Sequence, residues 1–143
     1  MAENLLIVHG GGPTAVMNAS LYGAIEEAKR SGKIQHIYGA DNGTGGFLAE
    51  RFIELEDVPE EKLRLLLQTP GTAIGTSRDP IEQEDYEKMA DILEARDIKY
   101  VLFNGGNGTM DTCGKLHKTC VRRKLDVKVM GIPKTTDNDI AVT

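Results

Sequence analysis

The chain has 143 residues, of which 40% are hydrophobic and 27% are charged, and its formal net charge is −5. This length suits one domain with a single core, and the negative charge argues against a nucleic-acid partner. No window approaches 18 apolar residues and the first residues lack a secretory signal, so we expect a cytoplasmic protein without membrane contact.

Short apolar runs alternate along the chain with stretches of helical spacing. In chain order, the predicted elements are a strand at 5–8, a helix from about 13 to 30, a strand at 34–38, a flexible loop at 41–46, helices at 59–68 and 82–96, a strand at 99–103, a helix at 110–124 and a strand at 127–130. The repeated order of strand, turn and helix predicts a three-layer, Rossmann-like α/β fold. Its sheet is expected to be parallel, with right-handed crossovers and helices on both faces.

Two glycine turns each follow a predicted strand and precede a predicted helix: GGGPTA at residues 10–15 and GGNGT at residues 105–109. Glycine lacks a Cβ, so an anion can approach the backbone N–H groups, and the helix N-terminus adds a favourable dipole. Each turn alone is also compatible with a tight structural turn. Their pairing on neighbouring strand ends favours a polyphosphate site.

The run GIPKTTDND at residues 131–139 carries the densest set of reactive side chains. Pro133 marks the end of the preceding strand, so the charged residues lie on a loop where open α/β sheets bind ligands. Asp137 and Asp139 would point the same way from an extended loop, and could share a metal or divide base and metal-binding roles. The alternative is a surface Asn-Asp turn.

Single residues give weaker evidence for a binding site than these motifs do. Arg78, at the end of the run GTAIGTSR, offers a fork of donors that suits phosphate oxygens, with a plain surface arginine as the alternative. His9 ends the first strand and is expected to be a packed or hydrogen-bonded imidazole rather than a ligand contact. Cys113 and Cys120 lack the spacing of a zinc site, so we expect buried, reduced thiols.

Four motifs together resemble the phosphofructokinase family. In chain order they are a Gly-Gly turn before a helix with Met17 and Asn18, PGTAIGTSR at 70–78, NGGNGT at 104–109 and PKTTDND at 133–139. The resemblance spans about residues 5 to 140. It implies the phosphoryl-donor half of an enzyme that uses ATP and Mg²⁺ to phosphorylate the 1-hydroxyl of fructose 6-phosphate, giving fructose 1,6-bisphosphate in glycolysis.

The resemblance also assigns roles to individual residues. The implied catalytic residues are Asp137, as the base that takes the sugar hydroxyl proton, Lys134, near the transferred phosphate, and Arg78. The implied donor contacts are Gly12, Arg78, Asn107, Gly108 and Thr109. The implied sugar contacts are Thr135, Asp137 and Asp139, and the implied Mg²⁺ ligands are Asn107 and Asp139.

Three positions bear on the metal and the donor. The family usually has an acid where this chain has Asn107, which keeps an oxygen ligand but loses the charge. Gly108 resembles ATP-dependent members, because a small residue leaves room for the nucleotide, whereas pyrophosphate-dependent members place an aspartate there. Lys134 instead resembles the pyrophosphate users. Sterics at Gly108 favour ATP, with a pyrophosphate-dependent fructose 6-phosphate phosphotransferase as the alternative.

Residues 1–143 are expected to be an N-terminal donor-binding α/β domain, truncated before the sugar-phosphate-binding half, since the chain ends shortly after Asp139. In the family, the arginines that bind the sugar phosphate come from later in the sequence and from a neighbouring subunit. The resemblance therefore implies a homo-oligomer and an inactive isolated domain. Two alternatives are a nucleotide-binding module without chemistry, and a Rossmann dehydrogenase that would use the first glycine turn and Asp41.

Overall fold

The computed structural model describes residues 3–10, 15–59, 61–62 and 81–133. Its strands are β1 (Glu3–His9), β2 (Ile34–Ala40), β3 (Phe52–Glu54), β4 (Ile98–Gly105) and β5 (Lys128–Pro133). Its helices are α1 (Ala15–Ser31), α2 (Gly43–Leu48), α3 (Gln83–Ala95) and α4 (Asn107–Arg122). None of the helices in this part of the chain is long and apolar enough to cross a bilayer.

The five strands form one sheet in the order β3-β2-β1-β4-β5. β1 pairs in parallel with both β2 and β4, and β4 pairs in parallel with β5. The expectation of a wholly parallel sheet is wrong at one edge, because β3 runs antiparallel to β2. No helical crossover long enough for a parallel return separates β2 from β3, so the chain can only fold back beside β2.

Both faces of the sheet are covered, which explains why β1 is a continuous apolar run. On one face, Leu5 and Ile7 pack with Leu21 and Ile25 of α1. On the opposite face, helices α2, α3 and α4 pack on a second cluster, which includes Leu6, Val8, Phe47, Met89, Leu93, Phe103 and Leu116. The three-layer arrangement is therefore as predicted, with α1 alone on its face among the described helices.

The predicted flexible loop at residues 41–46 is wrong, because α2 begins inside it. Asn42 and Gly43 both have left-handed φ values, of 67° and 66°, and turn the chain into the helix. Gly46 lies directly against the backbone of Asp41, where a Cβ would not fit. Phe47 is fully buried, so burial of its ring outweighs the poor helix propensity of the glycines.

The predicted helix at 110–124 begins three residues too late. Met110 N–H donates to the Gly106 carbonyl at 3.0 Å, which closes a first turn that contains Asn107, Gly108 and Thr109. The predicted helix at 82–96 is confirmed as α3, which starts with a reciprocal cap between Glu82 and Asp85. The predicted helix at 59–68 lies largely outside the described residues.

The two cysteines lie on α4, and both are free and buried, as predicted. Burial raises the pKa of the Cys113 thiol and that of the Cys120 thiol. Both side chains therefore behave as small apolar residues between α4 and the sheet.

Candidate functional site

The candidate site is located by the connections of the two central strands. From β1 the chain crosses through α1 to β2, and from β4 it crosses through α4 to β5, on the opposite side of the sheet. The two crossovers therefore leave in opposite directions from neighbouring strands. In open α/β sheets, such a reversal opens a crevice at the carboxyl ends of the two strands, where ligands bind.

Three predicted site elements leave the sheet at this crevice. His9 pairs in register with Asn104, and Gly105 pairs with Pro133. The first glycine turn follows His9, the second begins at Gly105, and the acidic loop follows Pro133. The chain therefore enters both glycine turns and the acidic loop from three adjacent strand ends.

The start of the first glycine turn is in direct contact with the second. Gly10 N–H donates to the Asn104 carbonyl at 3.0 Å, one residue beyond the paired strands. The Thr109 side chain lies against both Gly10 and Gly105. A Cβ on Gly105 would lie 2.5 Å from the Gly10 carbonyl oxygen and 2.8 Å from the Thr109 Cβ. Glycine at these two positions is a packing requirement of the junction.

Gly108 differs from these two glycines. It is exposed in the first turn of α4, and nothing lies within 4 Å of where its Cβ would be. The first turn of α4 contains no acidic residue. The unsatisfied N–H groups and the positive dipole end of this helix are therefore available to an anion.

A buried polar pair lies at the same strand ends. His9 is 0% exposed and Asn104 is 1% exposed, each at the end of an otherwise apolar strand. Burial lowers the pKa of His9 to about 4, so its imidazole is neutral at neutral pH. The expectation of a packed imidazole is confirmed. Asn104 begins the NGGNGT motif but was predicted to have no role of its own, although a polar residue that ends an apolar run before glycines was a usable signal.

Of the predicted site residues, the structure places Gly108, Thr109 and the backbone of Asn107 together in the first turn of α4. The Asn107 side chain lies outside the described part of the chain. So do Gly12, Arg78, Lys134, Thr135, Asp137 and Asp139. Within residues 3–10, 15–59, 61–62 and 81–133, no group of three or more His, Cys, Asp or Glu residues could hold a metal ion.

An apolar groove of about 460 Å³ lies elsewhere, on the sheet face that α1 covers. Its lining includes Leu5, Ala24, Leu102, Met130 and Ile132. Ser31 and Lys33 also contribute to its lining, but the walls are mainly apolar, whereas a polyphosphate needs several hydrogen-bond donors and positive charges around it. The crevice at the strand ends is therefore the better candidate site.

Comparison with known proteins identifies the family of the chain. The Phosphofructokinase family model matches residues 4–143. The chain is 39% identical over 145 residues to a pyrophosphate–fructose 6-phosphate 1-phosphotransferase from Xanthomonas campestris, covering 98% of this chain and 34% of that protein. It is 34% identical over 136 residues to ATP-dependent 6-phosphofructokinase 7 of Arabidopsis thaliana, covering 95% of this chain and 27% of that protein.

The fold agrees as well. The crystal structure of a pyrophosphate-dependent phosphofructokinase from Nitrosospira multiformis superposes with a TM-score of 0.86 at 35% identity, covering 99% of this chain and 35% of that one. The chain thus spans about a third of the length of these bacterial relatives. From the family match over residues 4–143 and the shared fold, the chain belongs to the phosphofructokinase family, whose members are phosphotransferases.

Proposed function

We propose that the protein that carries this chain transfers a phosphoryl group to the 1-hydroxyl of fructose 6-phosphate, and that this chain supplies the donor-binding part. The main support is the crevice where both glycine turns and the acidic loop leave adjacent strand ends. A polyphosphate in that crevice would meet backbone N–H groups at the start of α4, and the acidic loop continues the chain from the neighbouring strand end.

In this proposal, catalysis is positioning combined with charge stabilisation. The N–H groups of the glycine turns and of the first turn of α4 hold the donor, and Arg78 and Lys134 offset charge on the moving phosphoryl group. Asp137 orients the sugar hydroxyl and accepts its proton. The bond between phosphorus and the donor's leaving oxygen breaks as the bond to the sugar oxygen forms.

Asn107 and Asp139 are the proposed magnesium ligands. Their oxygen atoms suit a hard cation, and a pair of protein ligands leaves coordination positions for donor oxygens and water. When bound, Mg²⁺ would neutralise part of the charge on the donor phosphates. In this proposal, the chain's own contribution is to supply these two oxygen ligands.

ATP is the first candidate donor, because the space beyond Gly108 is open and a nucleotide needs that room. Pyrophosphate is the second candidate, since a pyrophosphate-dependent name belongs to the Xanthomonas relative and to the Nitrosospira structure. An assay of the intact protein with fructose 6-phosphate, Mg²⁺ and each donor in turn tests both. We expect transfer from at least one donor. Donor binding without any transfer would favour a nucleotide-binding module instead.

Gly108→Asp tests the choice of donor. An aspartate would place a negative side chain in the open space, so we expect kcat/KM for ATP to fall at least about 10-fold. Use of pyrophosphate, which does not need that space, should change little. Gly114→Asp is a matched control, because Gly114 is also exposed on α4 with nothing within 4 Å of its Cβ position. Unchanged ATP use by Gly108→Asp would contradict the steric argument.

A further inference from the structure

The side chains of His9 and Asn104 lie next to each other on one face of the sheet. Strand residues alternate between faces, so His9 shares the face of Leu5 and Ile7, which pack beneath α1. Asn104 pairs in register with His9 and follows Leu102 on that same face. On this face, the side chains of β1 and β4 are therefore apolar up to Ile7 and Leu102. The last side chain on each strand is polar but still buried.

A polar pair at this depth has an energetic cost. A buried imidazole or amide loses its hydration and has to recover it through hydrogen bonds. Apolar side chains would end β1 and β4 without that cost, since both strands are covered on both faces. The pair therefore points to a role that needs directional hydrogen bonding at the strand ends.

That role follows from the position of the pair. His9 is the last residue of β1 before the first glycine turn, and Asn104 precedes the second turn directly. The Asn104 carbonyl already binds Gly10 N–H, and Gly10 contacts Thr109 at the start of α4. The backbones on which these two side chains stand are therefore linked to each other and to both turns.

We propose that His9 and Asn104 are positioning residues that hold the two glycine turns at the separation that the phosphoryl donor requires. This inference rests on the proposed function, in which both turns bind the donor. The neutral state of His9 suits the role, because a neutral imidazole both donates and accepts hydrogen bonds. Donor-binding amides act only within a narrow geometric tolerance, so a small displacement of the turns weakens donor binding.

The test compares hydrogen-bonding and apolar substitutions in the intact protein. We expect His9→Leu to raise KM for the donor at least about 10-fold while KM for fructose 6-phosphate changes less than about twofold. His9→Gln keeps a hydrogen-bonding end and should recover most of the loss. Asn104→Thr and Asn104→Val have the same shape and differ by one hydroxyl, so Thr should bind the donor more tightly than Val.

Ile7→Ala is the matched control for a purely structural effect. Ile7 is buried on the same face of β1, two residues before His9. Removing its side chain should lower the melting temperature yet leave KM for the donor within about twofold. The inference is overturned if His9→Leu and Ile7→Ala change the two KM values alike, or if His9→Gln is as impaired as His9→Leu. If His9→Leu does not fold, the Thr and Val variants of Asn104 decide.

Calorimetric titration of the same proteins with MgATP and with magnesium pyrophosphate, in the absence of sugar, separates this inference from the proposed function. A wild type that binds a donor but does not phosphorylate fructose 6-phosphate refutes the proposed acceptor. The positioning role is then judged from the donor affinities of the variants. A wild type that binds neither donor refutes both.

Discussion

The amino and carboxyl ends of the strands differ in the charged side chains that surround them. At the amino ends of β1, β4 and β5, a polar cavity of about 220 Å³ is lined by Glu3, Lys99, Tyr100, Asp126 and Lys128. The Tyr100 hydroxyl donates to a Glu3 carboxylate oxygen at 3.2 Å, and this bond raises the pKa of Tyr100. Two acidic and two basic side chains lie close together here, so their charges balance and leave no net charge to attract a charged ligand.

At the carboxyl ends of β1 and β4, the described residues are glycines, a neutral histidine and an asparagine, and β5 ends at Ile132 and Pro133. The helices that follow the strands start here, and α4 has no acid in its first turn. Basic residues occupy the last turns of α1 and α4, at the other ends of these helices. Parallel strand–helix units thus place the helix N-termini at one end of the sheet, and that end suits an anion.

The largest expected effect tests whether chemistry is confined to the carboxyl end. Asp137→Ser should lower kcat of the intact protein by about 10²–10⁴-fold, because the sugar hydroxyl loses its base. KM for the donor should be unchanged, since the glycine turns are intact. Asp126→Ser removes an exposed aspartate from the amino end and should leave kcat unchanged. Steady-state kinetics measure both, and near-normal turnover of Asp137→Ser would exclude it as the base.

The next effect concerns acid stability and His9. The pKa of His9 is about 4 in the folded chain against 6.5 for an ordinary histidine, so below pH 6.5 the unfolded chain binds a proton that the folded chain does not. Its contribution to the free energy of unfolding is complete above pH 6.5 and is lost as the pH falls towards 4. The full loss is on the order of 3 kcal/mol.

Urea denaturation of the intact protein at pH 7, 6, 5 and 4 measures this loss. The His9→Gln variant shares every other titrating group, so the difference between the two profiles isolates His9. We expect the variant to lose less stability than the wild type between pH 6.5 and 4. Parallel profiles would show that the pKa of His9 is the same in the folded and the unfolded chain.

The smallest effect separates the two kinds of glycine at the carboxyl end. Gly105→Ala should lower the free energy of unfolding by about 2 kcal/mol or more, because its Cβ meets the Gly10 carbonyl and Thr109. Gly108→Ala is the matched control, since its Cβ enters open space and alanine favours a helix by about 0.5–1 kcal/mol over glycine. Denaturation midpoints measure both. Equal destabilisation would mean that the open space at Gly108 is closed in solution.

Much of the architecture was predictable because it depends on local patterns. The apolar run at β1 is too short for a helix, and the spacing of apolar residues marked α1 and α3. The glycine turns were recognisable because they separate a strand from a helix. By contrast, α2 was missed, since its sequence is glycine-rich and the burial of Phe47 against distant residues contributes to its stability.

The candidate site also has a part that was predictable from sequence and a part that was not. Gly108 and Thr109 were predicted from the motif, and the structure places them at the N-terminus of α4. The contact of Thr109 with Gly10 was not predictable, because the two residues are far apart in sequence and meet only when β1 and β4 pair. The buried state of Asn104 has the same origin, because its register partners lie on β1 and β5.

The sequence by itself determined the family, the strand–turn–helix order and the residue types at each turn, because these depend on short-range patterns and characteristic motifs. Only the tertiary structure decided which strands are neighbours, where the crossovers reverse and which glycines are packed and which are open. Those features depend on contacts between residues distant in the chain. Burial of apolar surface on both sheet faces is what brings these distant residues together.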